Sequence, residues 1–381
     1  MGLKSYSQQK LDLDKKVEML GEAARWDVFE HEVKGMSPYR CWIYPASTSG
    51  KVVPLFKVLM SNACQNNCLY CAHRSERDSP RHSFTPEELA VSFTKLHSKG
   101  LIEGMFLSSA VDDAPDAVME KMLKATEIVR GKYQFQGYIH LKIMPGASSQ
   151  YIWRAAEIAD RISINLEAPS VETLSHISPR KEFRELFSQL KEASNVVSEA
   201  KGKARSATTQ LMIGFGEQDQ EILALCQSLY RSLGLARCYF SAFSPVPDTP
   251  LAAIPPAPKS RETRLYQADF LIRRYGFNAS ELPFDKEGNL PSNLEPKLAW
   301  ALCHPELFPT EINQARYEEL LRVPGVGHRT AKNILHMRRE GKIKNFEELK
   351  RTGIGVTRAA PFILLDGKRE KRLQPQFSFK G

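Results

Sequence analysis

Ser61-Asn62-Ala63-Cys64-Gln65-Asn66-Asn67-Cys68-Leu69-Tyr70-Cys71 follows directly on the apolar stretch Pro54 to Met60 and spaces three cysteines as C-x3-C-x2-C. Three thiolates on so tight a loop can hold three irons of a 4Fe-4S cluster and leave the fourth open, whereas a cluster that only transfers electrons normally takes four cysteines. An open iron is a place to bind and activate a substrate. The competing assignment is a zinc site, which needs a fourth Cys or His to close its tetrahedron, and His73 stands two residues beyond the loop. The 3-then-2 spacing differs from the paired C-x2-C of zinc knuckles.

Outward from the loop, the chain alternates strand-like and helix-like segments. Phe56 to Met60 reads as a strand, and Thr85-Pro86-Glu87-Glu88 opens a helix as a capping box with proline at its first position. Strand Gly104 to Leu107, helix Val118 to Arg130, strand Tyr138 to Ile143, helix Ser149 to Ile158 and strand Arg161 to Leu166 follow. Strand Thr209 to Ile213, helix Asp219 to Leu233 and strand Arg237 to Phe243 complete the series. Repeated β-α units predict a parallel sheet with helices outside and ligands at the C-terminal ends of the strands.

The cysteine spacing, with the aromatic Tyr70 just before the third cysteine, resembles the radical SAM enzymes. The resemblance implies an α/β fold, a partial (β/α)6 TIM barrel. It also implies a 4Fe-4S cluster on Cys64, Cys68 and Cys71 and S-adenosylmethionine (SAM) chelated at the open iron. An electron donor such as flavodoxin or ferredoxin would complete the system. Ser108 and Ser109 stand where the superfamily has a turn that binds the methionine amino group, followed here by Ala110. Asn165 and Glu167, on alternate positions of the fourth strand's end, match its ribose-binding residues. Gly214, in Met212-Ile213-Gly214-Phe215-Gly216-Glu217, matches the strand end that packs on adenine, beside Tyr70. His140, Lys142, Tyr239 and Ser241 are candidates for a substrate pocket on inward-facing strand positions; no catalytic residue is singled out.

Charge distinguishes the C-terminus. From Arg316 onward 16 Lys and Arg face 7 Asp and Glu, a surplus equal to the whole formal charge of +9. A basic module on a neutral body points to a tail that holds a polyanion. Within it Tyr317 to Val323 reads as a helix, Pro324-Gly325-Val326-Gly327 as a hairpin and His328 to Arg339 as a second helix. Phe346 to Lys350, Gly353-Ile354-Gly355 and Val356 to Leu365 repeat the pattern. These strings resemble tandem helix-hairpin-helix elements, which implies an all-α C-terminal domain gripping the backbone of double-stranded DNA. Gly325, Gly327, Arg329, Lys332, Gly353 and Gly355 would hold phosphates.

The expected organisation is an N-terminal extension packing on the core (1–50), the radical SAM core (51–255), a connecting helical region (256–313) and the helix-hairpin-helix domain (314–381). Cys41, Cys226, Cys238 and Cys303 are scattered singly, without a disulfide pattern, which points to a reducing interior and a cytoplasmic protein, in a host cytoplasm if viral. Met1 to Lys16 is polar, and no apolar run reaches bilayer-spanning length. Leu20 to Ala24, Asp27, Gly137 to Lys142 and Pro145 to Ser148 extend the resemblance to radical SAM proteins with a C-terminal helix-hairpin-helix, a DNA modification or repair family. Phage members of the wider group are linked to thymine hypermodification and restriction evasion. That branch implies an isomerase acting on an amino-acid-substituted thymine. The alternatives are a DNA repair enzyme, an RNA-modifying radical SAM enzyme, and a non-catalytic DNA-binding protein whose structural cluster takes Cys303 or Cys41 as fourth ligand.

Overall fold

A computed structural model describes residues 12–24, 42–48, 51–199 and 201–369. Asp27 and Cys41 lie outside the described residues. Two compact units emerge, one within 1–217 and 228–258, the other within 218–227 and 259–381. No helix among the described residues is long and apolar enough to cross a membrane.

The first unit is built on a seven-stranded sheet in sequence order. Its strands are β1 (Ile43–Thr48), β2 (Lys51–Leu59), β3 (Gly104–Ser108), β4 (Tyr138–Lys142), β5 (Arg161–Ser163), β6 (Ser206–Ile213) and β7 (Arg237–Ala242). From β2 to β7 every neighbour pairs in parallel, which is the expected partial (β/α)6 barrel. Parallel strands need crossovers, supplied by α2 (Pro86–Ser98), α3 (Pro115–Gly131), α4 (Ser149–Ile158), α5 (Val171–Ile177), α6 (Phe183–Ser198) and α7 (Asp219–Leu233). Strands covered on both faces are buried along their length: all five residues of β3 and Ala207 to Ile213 of β6. The capping box at Thr85 and Glu88 forms as expected.

Three differences from the sequence expectation have local causes. β1 is an added antiparallel edge strand, with Pro45 opposite Pro54; an edge strand tolerates the missing amide hydrogen of Pro45. α1 (Leu13–Ala23) precedes it in the chain and packs close to Trp42: a Cβ on Gly21 would lie 2.4 Å from that of Trp42. β5 ends at Ser163 rather than Leu166: the regular strand lapses after Ser163, and pairing with β6 returns as a single parallel bridge between Glu167, whose backbone is left-handed (φ +67°), and Leu211. The connection from β5 to β6 holds two helices, α5 capped by the Ser170 hydroxyl and α6 burying Leu186, Leu190, Ala193 and Val196 at helical spacing.

The second unit contains α8 (Lys259–Tyr275), α9 (Pro296–Cys303), α10 (Tyr317–Arg322), α11 (His328–Glu340), α12 (Phe346–Lys350) and α13 (Val356–Ala359). Its core includes Phe277 edge-on to Trp300 at 5.1 Å, with the Arg322 guanidinium over both rings. The expected helix from Val356 to Leu365 is corrected: α13 stops at Ala359, and Pro361 sits in a single 3-10 turn. Ile363–Leu364 (β9) then pairs in parallel with Thr310–Glu311 (β8).

Candidate functional site

The cysteine loop is held from several sides. Arg81 donates four hydrogen bonds, Nη1 to the carbonyls of Asn62 (2.8 Å) and His73 (2.9 Å), Nη2 to those of Arg74 (2.7 Å) and Arg77 (2.8 Å). Asn62 bridges the Pro80 carbonyl and the His82 amide. The Gln65 amide donates to Val111 O and the Leu69 amide to Ile177 O, which ties the loop to the segments after β3 and α5. A guanidinium fork on four carbonyls has no isosteric substitute. Arg81→Met is expected to cost about 3 kcal/mol, given that hydrogen bonds to charged groups are worth about 1.5–3 kcal/mol each and do not add. Amide exchange should accelerate over residues 61–77 and stay unchanged over β3.

The loop stands over the C-terminal ends of the strands. Cys64, Cys68 and Cys71 line one cavity with Leu59 of β2, Lys142 of β4, Met212 of β6 and Ala242 of β7. Tyr70, Ser109, Asn165, Glu167 and Ser241 also line it. Ser108 does not: it is buried beneath the wall, its Oγ without a hydrogen-bond partner among the described residues. Gly214 is also outside the lining. A Cβ there would meet Ala257 at 2.8 Å and Phe243 at 3.2 Å, and its φ of +122° is itself restricted, so glycine serves close packing at this position. Phe215 beside it bridges the rings of Tyr70 and Phe243. Of the substrate-pocket candidates, Lys142 and Ser241 face the cavity. His140 instead stacks on Phe106 and meets Ser163 Oγ at 2.8 Å, while Tyr239 OH receives Arg161.

Charge in the cavity centres on Glu167. Its carboxylate accepts from Tyr70 OH at 3.0 Å and from Lys181 Nζ at 2.8 Å, the Glu167 and Lys181 side chains nearly buried and Tyr70 half-buried. Burial pushes the Glu167 carboxyl up, but Lys181 and then Lys142 outweigh it and leave it below the ordinary range. Lys181 shifts upward: burial opposes its charge and Glu167 more than compensates. Burial, then Glu167, drives the Tyr70 hydroxyl well up. Lys181 was not visible as a site residue in the sequence.

The Cys71 thiol is pushed up to about 12, first by burial and then by Cys68 and Cys64. Thiols that resist ionising together would give up their protons to bound iron, since metal binding is coupled to deprotonation. Cys68 Sγ lies 3.0 Å from Ser178 Oγ. His73, the fourth ligand in the zinc alternative, directs Nε2 to the Ala23 carbonyl at 3.0 Å. Among the described residues no three His, Cys, Asp or Glu side chains already converge as ligands of a single ion. A wall of three thiols is a donor set of the kind a 4Fe-4S cluster takes, and Cys64, Cys68 and Cys71 would hold it. Cys303, the described candidate for a fourth thiolate, is exposed on the second unit.

In the second unit α10, Pro324 to Gly327 and α11 form one helix–hairpin–helix, and α12, Thr352 to Gly355 and α13 a shorter second. Gly325 and Gly353 occupy equivalent positions and share φ +84°. Val326 and Ile354 are both buried one residue later. A Cβ on Gly325 would meet Gly355 O at 3.1 Å, so the hairpins touch. Arg329, Lys332, Gly353 and Gly355 are exposed, and Gly327 is half-buried against Tyr275 OH.

Residues 58–229 match the Radical SAM superfamily, and residues 310–356 match the helix-hairpin-helix motif. No curated protein sequence matches the chain. Among solved structures the fold is similar to the FeFe-hydrogenase maturase HydG from Carboxydothermus hydrogenoformans (15% identity, 56% of this chain and 50% of that one, TM-score 0.47). It is similar also to methylornithine synthase, PylB (14%, 56% and 60%, TM-score 0.47). A third is a radical SAM methyltransferase from Sphaerobacter thermophilus (15%, 66% and 84%, TM-score 0.42). The chain spans about half the length of HydG and 60% of PylB.

Proposed function

From a radical SAM domain joined to a helix-hairpin-helix motif, we propose that this protein is a radical SAM enzyme that modifies a base in double-stranded DNA. The reaction we assign is isomerisation of a thymine that carries an amino acid on its methyl carbon. The observation that supports this most is one cavity at the strand ends that gathers all three loop cysteines with Asn165, Glu167 and Ser109. A bound 4Fe-4S cluster would leave one iron open to SAM and supply the electron that cleaves it to a 5'-deoxyadenosyl radical, reactive enough to take hydrogen from an unactivated carbon.

What the chain's own residues contribute is position and exclusion of water. Glu167 fixes Tyr70, and so the loop, against Lys181. Ser109, Asn165 and Glu167 would orient SAM, with Lys142 and Ser241 facing the substrate. Leu59, Ile143, Met144 and Phe243 add apolar wall, which would help to exclude water around a bound substrate. A base in a stacked duplex cannot enter such a cavity, and we infer that it is flipped out. The hairpins would hold the backbone meanwhile, contributing affinity without sequence preference.

The test is anaerobic: reconstituted protein, dithionite or reduced flavodoxin, SAM, and duplexes with ordinary or amino-acid-substituted thymine. The expected result is 5'-deoxyadenosine formation stimulated by the substituted duplex, with a rearranged base by mass spectrometry. An intact cluster with no SAM cleavage under any condition would sink the enzyme reading and favour a structural cluster.

A further inference from the structure

Beside the first hairpin lies a cleft of about 190 Å³, lined by Tyr275, Glu295, Lys297, Gly325, Gly327 and Arg358 among others. Lys297, on α9, is outside the matched helix-hairpin-helix residues 310–356. Its Nζ donates to the carbonyl of Val326, at the hairpin tip, at 2.6 Å and lies 4.8 Å from the Tyr275 ring centroid. Every charged or titratable group around it is otherwise engaged. Glu295 pairs with Arg358, and Glu281 with Arg322. Tyr275 packs on His328, which meets Tyr317 OH. Among the described residues no carboxylate forms a salt bridge with Lys297.

We propose that this cleft seats one phosphate of the DNA backbone, with Lys297 supplying the ammonium that meets it. The inference rests on the reading of the second unit as a DNA-binding element, and it adds a ligand the motif does not contain. A lysine that merely tethered Val326 would need only a neutral donor. An ammonium mostly buried and without a salt-bridge partner is costly: Glu295, the carboxylate that lines the cleft, is taken by Arg358, and the missing counter-charge is what a phosphate brings. The hairpin backbone at Gly325 and Gly327 faces the same cleft, so the anion can approach both main chain and ammonium. The free volume, several times the roughly 30 Å³ share of one water, admits a polyatomic group.

Titration supports the geometry. Burial, then Arg322, lowers the Lys297 amine to about 7 in the free protein. A phosphate beside it favours the charged form, so DNA binding takes up a proton. Affinity then falls as pH rises above about 7, by up to about tenfold per unit until the higher pKa of the bound state is reached.

The experiment is fluorescence anisotropy of a labelled duplex with the full chain as wild type, Lys297→Gln and Lys297→Met, over salt and over pH, with thermal melts alongside. K297Q keeps a donor for Val326 O and loses the charge. It is expected to reduce the magnitude of the log–log salt slope by about 0.9, so that its deficit against wild type shrinks about 3.5-fold between about 50 and 200 mM salt, and to flatten the pH dependence. K297M should match it. Wild-type slope and pH dependence in K297Q, or a uniform loss with an unchanged slope, would reduce Lys297 to a tether and overturn the phosphate seat alone. No wild-type binding at low salt would overturn the DNA reading and the seat together. Should K297Q fail to fold, amine labelling of wild type decides: protection of Lys297 by duplex supports the seat, and equal labelling overturns it.

Discussion

Cys68→Ala is expected to bind no cluster and to lower 5'-deoxyadenosine production to that of an iron-free control. Cys68 is 7% exposed, and its sulfur sits between Cys64 and Cys71 in sequence on a loop fixed at both ends by Arg81. Two remaining thiolates would leave two irons without protein ligands, and the nearby imidazole of His73 directs Nε2 at the Ala23 carbonyl. The comparison that gives the result meaning is Ser178→Ala. Ser178 Oγ touches the same sulfur at 3.0 Å but would not be a ligand, so this variant should keep its iron and shift only the cluster's spectrum or potential. Iron content, charge-transfer absorbance and anaerobic SAM cleavage measure both. Retention of a full cluster by C68A would remove the thiolate assignment.

How far the sequence could be read varied with how local the cause was. The parallel strands were legible because β-α alternation is a short-range pattern, and the Thr85 capping box because four residues contain it. β1 was missed because Pro45 breaks the strand signature, and only its edge position makes that acceptable. α6 was legible in principle, since Leu186, Leu190 and Ala193 repeat at helical spacing. Residues 356–365 read as helix because they are apolar, but Pro361 and pairing with a strand some fifty residues earlier decide otherwise. In the site, Asn165 and Glu167 were found by motif, yet the use of Glu167 is not local: Tyr70 lies 97 residues away. Arg81 and Lys297 act on carbonyls, which every residue possesses, so no side-chain pattern marks them.

Glu167 carries the other large effect, because one side chain holds both a charge and an unfavourable backbone. Removing its carboxylate leaves the Lys181 ammonium buried without a partner, and breaking such a pair typically costs about 3–5 kcal/mol. Glu167→Ala should therefore lower the melting temperature by on the order of 10 °C. The left-handed φ of +67° is a separate contribution: a non-glycine residue there gives up about 1–2 kcal/mol, so Glu167→Gly should be less damaging than Glu167→Ala by about that amount. Lys181→Met isolates the charge. Alone it strands the carboxylate, eased by Lys142 and by the Tyr70 hydroxyl at 3.0 Å, and is destabilising. Combined with E167A it removes both charges, so the double variant should be more stable than the sum of the singles implies by about 2 kcal/mol or more. Additive singles would show that the two side chains do not act as a pair. If they are coupled, the strain at residue 167 has a structural reason: the turned backbone aims the carboxylate at Tyr70 and Lys181 at once, so loosening it frees the cysteine loop and should cost iron retention along with stability.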